Sequence, residues 1–147
     1  MENFTPLSAI QDGISRKLNA TFGDGYTIHP EEVKQGLTRP CFFIKLLSHS
    51  STRELGETYR RDNAYRIHFY PESTSEPEAE CHRMLDALYL ALEYIEVNGN
   101  LVRGVNMSGE LVDGILHFHV NFNVRVRRVY DQVTMGYLES INLGTKG

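Results

Sequence analysis

The longest ordered pattern in the chain runs from Leu116 to Arg127, LHFHVNFNVRVR, where apolar and polar residues alternate without a break. Leu116, Phe118, Val120, Phe122, Val124 and Val126 fall on one face. His117, His119, Asn121, Asn123, Arg125 and Arg127 fall on the other. Successive side chains of a β-strand point to opposite faces, so this pattern predicts a strand with one apolar and one polar side. At ~3.3 Å per residue it would span on the order of 40 Å, and it needs paired neighbours and a layer over its apolar face.

The rest of the chain supplies candidates for both. Leu7, Ile10, Ile14 and Leu18 recur at three-to-four spacing and predict a helix from Thr5 to about Phe22. Thr5 would cap it, Pro6 suits its first position, and Gly23 and Gly25 stop it. Tyr26 to His29 reads as a short extended piece ending at Pro30, and Glu31 to Pro40 as a loop. Cys41 to Ser48 is a strand apolar on both faces and therefore expected to be covered on both sides. His49 to Asn63, HSSTRELGETYRRDN, has no period and reads as a long hairpin connection or a mobile arm. Ala64 to Tyr70 is the next strand, with Tyr65, Ile67 and Phe69 opposite Arg66, His68 and Tyr70.

Ser75-Glu76-Pro77-Glu78 has the spacing of a capping box. It opens a second predicted helix running to about Tyr94, with a core stripe of Cys81, Met84, Leu85, Leu88, Leu92 and Ile95. Asn98-Gly99 and Asp113-Gly114 are tight-turn pairs. The strand between them, Leu101 to Val112, is expected to be interrupted near Ser108-Gly109. Residues 131–147 lose periodicity and read as an irregular tail. The order of elements predicts a single α+β domain over residues 1–147. Its sheet would be twisted and mostly antiparallel, with two main helices on one face and an extended arm or hairpin at 49–63.

Charge refines this picture. A net charge of −4 argues against a dedicated nucleic-acid binder, which is usually basic. The acids are unevenly placed. Glu76, Glu78, Glu80, Asp86, Glu93 and Glu96 face the single base Arg83 around the second helix, whereas Arg125, Arg127 and Arg128 end the long strand with no acid. Opposite local signs suit either a solvated helix face or head-to-tail self-association. The two cysteines, Cys41 and Cys81, predict free thiols in a reducing cytoplasm. The first residues show no secretory pattern, and no apolar run approaches the ~20 residues needed to span a bilayer.

Candidate chemistry is sparse. His117 and His119 project from one face at i and i+2 and, with His68 as a third ligand, suggest a metal site. Asn121 and Asn123 follow instead of acids or thiols, and Val124, Arg125 and Val126 stand where the comparable cupin pattern needs a glutamate. Both cysteines sit in apolar contexts without a nucleophile motif, and phosphate-loop, dinucleotide and serine-hydrolase signatures are missing. No catalytic, cofactor or metal residues are assigned. The polar strand face and the arm supply candidate subunit-interface or lumen residues: Arg53, Arg60, Arg61, His117, His119, Asn121, Asn123, Arg125 and Arg127.

Two stretches carry a resemblance: Gly36-Leu37-Thr38-Arg39-Pro40-Cys41-Phe42-Phe43-Ile44, and Val112-Asp113-Gly114-Ile115-Leu116-His117-Phe118 with its alternating strand. With a helix before and a capped helix between, they resemble the tail terminator (tail completion) proteins of tailed bacteriophages and phage-like contractile particles. The resemblance implies a structural, non-enzymatic protein of the virion tail, assembled in the bacterial host cytoplasm. It implies a ring, commonly a hexamer of self-associated copies, at the head-proximal end of the tail tube. Such a ring ends tube polymerisation, offers a docking surface to the head connector, meets the sheath in contractile tails and lets DNA pass non-specifically. An extended arm reaching the next subunit would be residues 49–63. The alternatives are a head-to-tail joining adaptor of the phage neck and a small metal-binding module built on His117 and His119.

Overall fold

The computed structural model describes residues 7–30 and 37–127. The expected cap at Thr5 and Pro6, most of the loop after Pro30, Arg128 and the irregular tail at 131–147 lie outside the described residues. The elements in chain order are α1 (Leu7–Phe22), β1 (Thr27–His29), β2 (Cys41–Arg53), β3 (Thr58–Tyr70), α2 (Pro77–Ala91), β4 (Tyr94–Val97), β5 (Asn100–Val112) and β6 (Ile115–Arg127). They form one sheet of six strands in the order β1-β2-β3-β6-β5-β4. Only β1 and β2 run parallel; every other neighbouring pair is antiparallel. This is the α+β arrangement expected, with the long alternating strand at the centre.

Register explains why the core sits where it does. Phe42 lies opposite Phe69, Ile44 opposite Ile67 and Leu46 opposite Tyr65. The rows continue from Phe69 to Leu116, Ile67 to Phe118 and Tyr65 to Val120. Ile10, Ile14 and Leu18 of α1 and Cys81, Met84 and Leu88 of α2 close over this face in a single buried cluster. Burying these side chains removes apolar area from water at roughly 25 cal/mol per Å², the main term holding the layers together. Phe43, on the opposite face, is also buried, stacked on His29 at 4.8 Å and edge-on to Tyr70 at 5.2 Å. The double coverage expected for this strand is therefore met at its start, and ends where β2 becomes exposed from Leu47 onward.

Several boundaries differ from the sequence expectation, each for a physical reason. Pairing of β2 with β3 does not stop at Ser48. It continues through His49 opposite Asn63 to Arg53 opposite Tyr59, and the chain reverses only at Glu54–Glu57. The outer half of this hairpin is largely polar, so no apolar alternation marks it; the register shifts by one residue between Leu46 and Ser48, and pairing with β3 resumes beyond that bulge. Helix α2 ends at Ala91 rather than near Tyr94, and Tyr94–Val97 is a strand. Ile95 and Val97 point into the core while Tyr94 and Glu96 face out, but Leu92 and Ile95 also fit a helical stripe.

The capping box at Ser75 is not formed: Glu76 is the N-cap and has no side-chain cap bond. Instead the Ser73 hydroxyl accepts the Glu76 N–H at 3.1 Å, and the Glu80 carboxylate accepts the Glu72 and Ser73 N–H groups at 2.9 and 3.2 Å. The Asn98-Gly99 and Asp113-Gly114 turns do form, all four residues having positive φ. The interruption of β5 falls earlier than Ser108-Gly109, as a register shift between Val105 and Ser108 with Asn106 at φ 53°. Gly104, just before it, lies so close to the Leu92 carbonyl that a Cβ would collide with it.

Candidate assembly surface

The face of the sheet opposite the helices carries most of the polar residues singled out from the sequence. Two rows cross it. In one, Phe43, His68, His117 and Glu110 lie opposite one another on β2, β3, β6 and β5; in the next, Lys45, Arg66, His119 and Ser108 do. The His68 and His117 rings meet at a centroid distance of 4.2 Å. Nε2 of His68 and Nε of Arg66 are buried without a hydrogen-bond partner.

Electrostatics follow from this crowding. Burial pushes the His68 pKa down to about 4, reinforced by the positive charges of His117, Arg66, Lys45 and His119. His117 is shifted the same way, by burial first and then by Arg66. His68 is therefore a neutral imidazole at physiological pH. The three histidines share a face but sit among Arg66 and Lys45, and that cationic setting opposes a divalent ion. Among the described residues, no group of three or more histidine, cysteine or acidic side chains could hold a metal. Burial raises the thiols of Cys41 and Cys81, which makes both poor nucleophiles.

The candidate arginines are largely matched on their own chain. Arg125 spans from β6 to the hairpin tip, donating to both Glu54 carboxylate oxygens at 2.8 and 3.5 Å. This contact holds the Glu54 carboxyl below its ordinary range. Arg60 donates through two nitrogens to Asp62, each at 3.0 Å. Arg53 donates to the Gly56 carbonyl at 3.1 Å and to Glu57 at 3.2 Å. Arg61 lies opposite Val124 and Arg127 opposite Thr58. Asn121 is half-buried opposite Ala64, and Asn123 accepts the Asn63 N–H at 3.3 Å.

Two features escaped sequence reasoning. The first is Asn63, only 1% exposed and the sole polar residue in the buried set among the described residues. Its amide donates to the Phe122 carbonyl at 2.9 Å, and its Oδ1 accepts from His49 Nδ1 at 2.7 Å. It ties β2, β3 and β6 together where the apolar rows give out. A lone asparagine at the end of a polar run carries no signal of burial. The second is Leu55 at the hairpin tip, 91% exposed. A leucine isolated among polar residues at a turn is a readable sign of an exposed apolar side chain. Leu90 and Leu101 are also strongly exposed, at 77% and 72%. Single exposed apolar residues are ordinary, but a projecting hairpin with one at its apex suits a protein that meets other proteins.

The chain belongs to a family described as phage tail terminator protein, whose model matches residues 9–134. It is thus a non-enzymatic structural component of phage tails that serves in tail termination. No curated protein matches the chain. Among solved structures, one shares 14% identity, covering 86% of this chain and 99% of its own, with a TM-score of 0.37.

Proposed function

We propose that copies of this chain close into a ring, six being the expected number, on the head-proximal end of the tail tube. The ring caps the tube so that no further tube subunit adds, and presents its other face to the head connector and, in a contractile tail, to the sheath. DNA passes through its lumen without sequence recognition, and assembly takes place in the bacterial cytoplasm. The observation that carries this reading, beyond the family, is the β2–β3 hairpin. It continues beyond the apolar rows as paired, exposed strand, is tied at its root by Asn63, and ends in the exposed Leu55.

A pre-ordered arm of this kind loses little conformational entropy on docking, so its contacts count more fully towards association. Cyclic assembly needs two different, complementary patches on each subunit, and the acidic surroundings of α2 provide a second surface of distinct character. Sedimentation of the purified protein, alone and with tail tubes, tests the reading. A discrete ring-sized species or stoichiometric binding to tube ends is expected; a monomer that never associates under either condition would refute it.

A further inference from the structure

Among the described residues, both outer edges of the sheet are mostly open. Strand β1 covers only Cys41–Phe43 of β2, and β4 covers only Asn100–Arg103 of β5. Among the described residues no strand lies outside Ile44–Arg53 or outside Val105–Val112. An open edge leaves alternate backbone N–H and C=O groups facing outward, a template for another strand. Natural edges are usually guarded by proline, charges (lysine above all), bulges or very short strands. Here the guards are a bulge on each edge, at Leu46/Ser48 and Val105/Ser108, and the exposed Lys45, which limit pairing to a matched partner; the β2 edge has no proline, and Leu47–Arg53 are all exposed.

We propose that the sheet continues from one subunit to the next, the β2 edge of each copy pairing antiparallel with the β5 edge of a second copy. The proposal rests on the ring reading and assigns the two surfaces that meet. Direction is the first argument. Three successive antiparallel pairings, β2–β3, β3–β6 and β6–β5, leave β2 and β5 running in opposite senses. Copies related by rotation about an axis along the strands keep those senses. The β2 edge of one copy then meets the β5 edge of the next in the antiparallel orientation, which is the more stable per residue.

Charge is the second argument. The β2 edge carries Lys45 and Arg53 and no acid, whereas the β5 edge carries Glu110 and no base. Lys45 and Glu110 lie on the same helix-free face, in adjacent rows. With copies level, Ile44–Ser48 faces Val105–Gly109, and Lys45 comes within one row of Glu110 of the partner subunit. A tilt of the strands, usual when sheets close on themselves, lengthens the overlap. Leu47 and Val112, each 41% exposed, are the apolar side chains such a seam would cover. Two-fold pairing of β2 with itself would instead bring the basic residues of both copies together, which is unfavourable across strands.

The test combines amide hydrogen exchange with charge reversal. Exchange is followed on the full chain at concentrations spanning ring formation, and sedimentation is compared for the native protein, Lys45→Glu, Glu110→Lys and the double variant. Protection gained at both 44–53 and 105–112 on assembly is expected, with each single reversal raising the half-assembly concentration by about tenfold or more and the double variant largely restoring it. Both substituted sites, Lys45 and Glu110, are exposed positions, and circular dichroism checks that each variant is folded. A ring whose β2 and β5 edges stay unprotected, or whose assembly ignores both reversals, overturns edge pairing and leaves the ring itself standing. A discrete dimer protected at β2 alone also overturns it. Failure of the native chain to form any ring, with or without tubes, overturns both readings.

Discussion

Asn63 offers a sharp test of how the arm is held. Replacing it with alanine strands the buried Phe122 carbonyl that its amide now serves at 2.9 Å. Leaving a buried acceptor unpaired costs about 1–3 kcal/mol. The same change removes the acceptor of His49 Nδ1 at 2.7 Å, a part-buried bond contributing about 0.5–1.5 kcal/mol. Together these give a destabilisation of about 2–4 kcal/mol. For a chain of this size each kcal/mol moves Tm by ~2–4 °C, so a fall of about 5–15 °C is expected.

Urea unfolding followed by circular dichroism measures it, and Asn63→Leu serves as a control that keeps the volume without the polar groups. The leucine variant should be no more stable than the alanine one if hydrogen bonding is the cause. A double-mutant cycle with His49→Ala should show a coupling of about 0.5–1.5 kcal/mol. An Asn63→Ala protein within about 0.5 kcal/mol of native would refute the clamp, because a loss that small is typical of ordinary surface changes.

Three further outcomes follow from the same geometry. Because His68 has its folded pKa pushed from 6.5 down to about 4, the unfolded chain binds its proton first; stability from this group is present above pH 6.5 and is lost as pH falls towards 4. The loss is at most about 3 kcal/mol before discounting for partial exposure, and His68→Gln should flatten that limb of a stability-versus-pH curve measured by denaturant unfolding. Phe118→Ala removes a fully buried ring that meets Tyr89 edge-on at 5.5 Å, and is expected to cost about 3–5 kcal/mol in the same assay. Arg125→Ala breaks only an exposed ion pair with Glu54, so its denaturation midpoint should match the native protein within error.

How much was legible in the sequence depends on what each element buries. The strand β6 and the inner half of β3 bury every second residue, so their alternation announced them and their faces. The turns at Asn98-Gly99 and Asp113-Gly114 were equally plain, because positive φ at two successive residues selects for those residue types. The outer hairpin was not legible as strand, since its exposed polar side chains carry no period and its pairing resumes only after a bulge between Leu46 and Ser48 that shifts the register by one residue. Strand β4 was hidden because Leu92 and Ile95 satisfy a helical spacing as well as an alternating one.

At the candidate surface, the histidines on β6 were visible as a face. Their setting was not, because Arg66 and Lys45 reach that face from other strands through pairing that no local pattern encodes. The same holds for the arginines, whose partners Glu54 and Asp62 are matched by the hairpin's fold. Their proximity in sequence made the arm look like a generic solvated loop.

The most direct measurement of the terminating role is the length distribution of tails assembled in the host with and without this chain, read from electron micrographs. With the chain present, tails of uniform length are expected; without it, tubes should run on to variable and excessive length, and supplying the chain in trans should restore uniformity. Tails of normal, uniform length made in its absence would contradict termination by this protein.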